Sequence, residues 1–109
     1  MDCSGLVQYV FGQLGLRLPR TASGLASAGS KVEFDTASME IGDLLVFSRR
    51  RSQRISHVGI YVGDGKMVHA SSVKKAVVEV PLTNYSGLQL RGVRRVVTVG
   101  TLASSDSTK

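Results

Sequence analysis

One thiol and two imidazoles stand out in this 109-residue chain: Cys3, His57 and His69 are its only cysteine and its only histidines. Those three groups suffice for nucleophilic hydrolysis. A sulfur attacks, a base within hydrogen-bond reach takes its proton, and a third polar group orients the base. The thiol lies in "MDCSGLVQYVF" and both imidazoles lie in "SHVGIYVGDGKMVHAS". A lone cysteine is more often a small buried hydrophobe than a nucleophile. The elements that carry the three residues must therefore decide between the two readings.

After Cys3, the apolar residues Leu6, Val7, Val10, Phe11 and Leu14 recur at helical spacing. Asp2 is placed to cap this helix and Gly15 to stop it. Cys3 then sits in a first turn, where unpaired N–H groups and the helix dipole favour a thiolate. The stretch "LPRTASGLASAGSKVEFDTASM" is small and polar, and reads as a loop with at most one short helix around 22–28. Beyond it the period changes to two. "DLLVFS" (43–48), "HVGIYVG" (57–63), "KMVHAS" (66–71), "AVVEVPL" (76–82) and "RGVRRVV" (91–97) read as strands bounded by turn residues. Strands so closely spaced form an antiparallel meander rather than βαβ units. The fold class is therefore α+β, an N-terminal helix carrying the cysteine and packed on an antiparallel sheet of about five strands. Residues 1–98 form one domain, and the polar 99–109 reads as a frayed tail.

Sheet parity gives the histidines a geometric test. A two-residue turn at Asp64-Gly65 pairs Gly63 with Lys66 and sends His57 and His69 to opposite faces. A three-residue loop pairs Val62 with Lys66, sets Gly59 opposite His69 and makes the imidazoles diagonal neighbours on one face. A joint catalytic role thus requires the longer loop or an equivalent bulge. It also requires that face to turn toward the start of the helix.

Lysine and arginine number 14 against 8 acidic residues, a net charge of +6 that favours an anionic partner. Arg49, Arg50, Arg51 and Arg54 form the densest cluster. No nucleic-acid reading motif accompanies it, so a solvated loop is the simpler reading. A single cysteine excludes an intrachain disulfide, and two histidines are too few for the usual structural zinc set. No apolar run is long enough to span a bilayer, and no signal peptide is visible. Asp43 reads as a turn-fixing residue ahead of its strand. Arg20 suits either an acidic substrate or an ordinary loop.

In this order and spacing, "DCSGLVQYVF", "GDLLVFS" and "SHVGIYVGDGKMVHAS", with "LPRTA" and "RGVRRVV", resemble the NlpC/P60 family. These are papain-like cysteine hydrolases of bacterial peptidoglycan, and the likeness runs over about residues 2–97. The resemblance implies Cys3 as nucleophile, His57 as general base and His69 as the polar third member. It implies that Asp2, Ser4 and Ser56 shape substrate subsites. The reaction implied is amide hydrolysis through a thioester in peptidoglycan stem peptides, at a γ-D-glutamyl-diamino acid bond or a stem cross-link. No cofactor, metal or nucleic acid is implied, and the place of work is the periplasm or cell envelope after export from a longer precursor. Two departures stand against the family pattern. Family domains carry a further segment with a tyrosine ahead of the cysteine motif, and Leu25 stands where related sequences often have glutamine. Restoring an upstream segment is accordingly expected to raise kcat more than it lowers KM. Two other classes remain open: a non-catalytic cell-wall binding module of the same fold, and a basic module for nucleic acid or a membrane surface.

Overall fold

The computed structural model describes residues 2–33, 35, 37–71, 75–82 and 88–96. The tail expected over 99–109 lies outside them. Helix α1 spans Cys3–Gly12, and Asp2 caps it by accepting the Gly5 N–H at 2.7 Å. The helix stops short of Gly15, so Leu14 lies past its last turn and is 49% exposed rather than part of the core. A single turn, α2 (Ala22–Leu25), begins where the Thr21 hydroxyl accepts the Gly24 N–H at 3.0 Å. Leu25, the departure from the family pattern, is fully buried in the core.

Among the described residues six strands follow: β1 (Ser30–Val32), β2 (Leu44–Arg49), β3 (Ile55–Gly63), β4 (Lys66–Ser71), β5 (Ala76–Pro81) and β6 (Leu88–Arg95). They form one antiparallel sheet in the order β1-β6-β2-β3-β4-β5. The simple meander therefore holds only from β2 to β5. β6 returns to the far side of β2, and its end gives the three-residue β1 a partner inside the stretch that reads as loop.

The run "LLVF" on β2 is buried on both faces, as a central strand's must be. Leu44 and Val46, with Val58 and Ile60 of β3, pack under Leu6, Val7 and Phe11 of α1. Leu45 and Phe47 pack on the other face with Tyr61, Met67 and Val93. Asp43, just ahead of β2, is fully buried. Its carboxylate accepts from Arg95 Nε at 2.9 Å and Nη2 at 2.8 Å, and from the Glu40 N–H at 2.9 Å. The same guanidinium donates to the Ser38 carbonyl at 2.8 Å. Asp43 thus ties a turn to the end of β6. Arg95→Ala would leave a buried carboxylate without its counter-charge, a loss of about 3 kcal/mol. A lower urea midpoint at unchanged slope would show it.

Candidate active site

Parity at the β3–β4 hairpin is set by a bulge, the expected equivalent of the longer loop. The turn is the short one, Gly63 paired with Lys66, with Asp64 at φ +54° and Gly65 at φ +70°. Tyr61 nevertheless pairs with Met67, so Val62 is an extra residue in β3. Gly63, at φ +93°, supplies the left-handed backbone that this bulge needs. The inserted residue restores the same-face register: Ile60 pairs with Val68, which sets Gly59 opposite His69.

His57 Nε2 and His69 Nδ1 consequently lie 2.9 Å apart, one ring donating and the other accepting. The rings meet edge to face, with centroids 5.0 Å apart and planes at 82°. Phe47, directly across from His57 in the β2–β3 register, packs a tilted ring 6.2 Å away. His69 is buried and His57 half-buried. Burial pushes His57 down to about 4, and the nearby His69 adds to the effect. Burial likewise lowers His69. At neutral pH both rings are uncharged.

Cys3, the first residue of α1, is partly buried beside the Leu6–Val7–Phe11 layer. With Asp2, Ser4 and Ser56 it lines a cleft of about 720 Å³. The structure thus joins the four residues of the helix start and the β3 start in one cleft, and joins the two histidines by a hydrogen bond. The Ser56–His57 peptide links the groups. The body of the helix does not lie over the histidine face. The apolar stripe of α1 covers the Val58–Ile60 face, whereas His57 shares its face with Phe47. The start of β3 reaches the cleft through Ile55 and Ser56. There Phe47 pairs with His57 but Ser48 with Ile55, so Ser56 is itself a bulge residue. A bulge bends its strand and re-aims the neighbouring side chains, and this one lies between the cleft and the imidazole.

Arg20, which suits an acidic substrate as well as a loop, also lines the cleft, and so do Arg49 and Arg54, which read as part of a solvated loop. Their positions in the chain predict no such convergence, because the two loops that carry them meet only through the fold. Among the described residues, no group of three or more His, Cys, Asp or Glu could hold a metal ion. Likewise, no described helix is long and apolar enough to cross a membrane.

The model of the NlpC/P60 family matches residues 1–95. In sequence the chain is 41% identical over 95 residues to gamma-DL-glutamyl hydrolase of Bacillus subtilis, covering 86% of this chain and 22% of that protein. In structure it is similar to the peptidoglycan hydrolase RipB of Mycobacterium tuberculosis. The TM-score is 0.71 at 33% identity, over 88% of this chain and 45% of that one. It is also similar to RipD of the same organism, described as a non-catalytic NlpC/p60 domain protein adapted to peptidoglycan binding. There the TM-score is 0.70 at 29% identity, over 89% of this chain and 67% of that one. The chain thus spans about a fifth of the length of the Bacillus subtilis hydrolase.

Proposed function

Because this chain belongs to the NlpC/P60 family, we propose that it is a cysteine endopeptidase of the bacterial cell envelope, cutting γ-D-glutamyl-diamino acid bonds or stem cross-links in peptidoglycan. The observation that carries this reading is the 2.9 Å hydrogen bond between His57 Nε2 of β3 and His69 Nδ1 of β4, with the start of β3 sharing a cleft with Cys3. With Nε2–H of His57 donating to His69, the basic nitrogen of His57 is Nδ1. Its low pKa keeps the ring neutral and able to take a proton.

In the proposed reaction, His57 removes the Cys3 proton and Sγ attacks the amide carbon. The resulting oxyanion is met by the Cys3 backbone N–H at the helix start. Collapse breaks the C–N bond, the departing amine takes the proton back from His57, and a thioester remains. Water, deprotonated by His57, then attacks the thioester through a second oxyanion and releases the acid and the thiol. While His57 is charged, a neutral His69 can only accept its hydrogen bond. It therefore orients the base with less charge stabilisation than a carboxylate would give. Asp2, Ser4 and Ser56 are the proposed substrate contacts; Asp2 keeps one oxygen on the Gly5 N–H, and its other oxygen is the one to face a ligand.

Incubating the protein with purified sacculi and with a defined γ-D-glutamyl-diamino acid peptide, followed by mass spectrometry, tests this. New amine and acid termini are expected with the native chain and none with Cys3→Ala. Binding of sacculi without any new termini would replace the enzyme with a peptidoglycan-binding module of the kind RipD is described to be.

A further inference from the structure

The hairpin between β2 and β3 is held in shape from across the sheet. Arg91 of β6 donates from Nε to Ser48 Oγ and from Nη2 to the Ser52 carbonyl, each at 2.7 Å. Ser48 Oγ, fully buried, donates on to the same Ser52 carbonyl at 2.8 Å. Ser52 Oγ accepts the Arg54 N–H at 3.1 Å. A planar guanidinium with fixed donor directions suits such a two-point hold. On either side of this clasp stand Arg49 and Arg54, both exposed and both lining the cleft that holds Cys3. Arg20, ahead of α2, lines it too.

Three guanidinium groups therefore share the cleft with one carboxylate, Asp2, already engaged at the helix cap. Among the described residues, the ion pairs are made by Lys66 and Arg95, and none involves these three arginines. Holding like charges around one concavity is unfavourable until an anion arrives, and the clasp prevents the hairpin from relaxing away. The described lining contains no aromatic ring on which a base could stack, which favours carboxylates over single-stranded nucleic acid.

We propose that Arg20, Arg49 and Arg54 form a carboxylate-binding wall of this cleft, positioned by Arg91, and that the substrate segment it takes carries at least two free carboxylates flanking the scissile amide. The proposal rests on the reading of the cleft as a peptidase site and adds which substrates it prefers. Exposed ion pairs are worth two- to five-fold each, so two such contacts amount to roughly tenfold in affinity.

The test uses two peptides with the same γ-glutamyl bond, one with its flanking carboxylates free and one with them amidated. Affinity is measured by calorimetry on the Cys3→Ala chain at low and at near-physiological ionic strength. The free acid should bind about tenfold tighter, with the gap narrowing as salt rises. In Arg49→Gln/Arg54→Gln the gap should shrink to about twofold. Arg91→Gln should shrink it in part, with Arg91→Lys intermediate; the surface double variant keeps the test decisive if Arg91→Gln melts early. Equal affinities for both peptides, an undiminished gap in the double variant, or tighter binding of a short single strand of DNA would overturn the proposal. Cleavage of both peptides at equal KM would overturn it while leaving the peptidase reading intact. A carboxylate preference without any cleavage by the native chain would support the wall and remove the peptidase.

Discussion

Exchanging His57 for alanine will lower kcat/KM on a γ-D-glutamyl-diamino acid peptide by about a thousandfold, the middle of the range for a lost general base. The effect is large because the same ring serves both half-reactions, first taking the thiol proton and then activating water. The variant should also alkylate more slowly with iodoacetamide in mildly acidic buffer, since the thiol loses its proton acceptor. His69 acts differently. His69→Ala removes the partner that fixes the 2.9 Å contact and leaves the base in place. A loss of up to about a hundredfold follows from misaiming alone. His69→Asn keeps an oxygen to accept the Nε2–H and should recover most of that loss. Equal alkylation and turnover in His57→Ala and the native chain would separate the histidines from the cysteine and end the proposed pairing.

Why the histidine pair could be anticipated, and other parts of the site could not, comes down to range. Alternation makes β2 to β4 readable because each strand buries a defined set of side chains. The parity of one hairpin then ties His57 to His69, leaving a single local unknown. That unknown was the backbone at Val62 and Gly63, where a bulge does the work of a longer loop. A one-residue insertion leaves no mark on the apolar pattern. β1 and the return of β6 beside β2 were hidden for another reason. "SKV" is a strand only because the distant β6 offers it partners. Arg91 is the extreme case: it supports a hairpin about forty residues earlier in the chain, through hydrogen bonds that no local spacing records. The proposed chemistry is legible in the residue types, whereas the meeting of Arg20, Arg49 and Arg54 in one cleft is not, because it depends on which loops converge there.

Activity and stability should share one pH window, set by His57. An unfolded histidine titrates near 6.5, whereas burial first and His69 second hold the folded His57 at about 4. Between those values the unfolded chain binds a proton that the folded chain refuses, so acid favours unfolding there. The contribution is full above 6.5, fades as pH falls through the window, and changes no further below about 4. His69 is shifted in the same direction by burial and reinforces the trend. The urea midpoint should therefore drop between pH 7 and pH 4, and His57→Asn should flatten that drop. The acid limb of kcat/KM should lie near 4 rather than near 6.5, because the neutral ring is the one that accepts the thiol proton. In His69→Gln the limb should move upward only slightly, since desolvation, the larger cause, remains. A limb near 6.5 in the native chain, or a midpoint as pH-sensitive in His57→Asn as in the native protein, would show that His57 titrates like a solvated imidazole and that its burial does not tune the base.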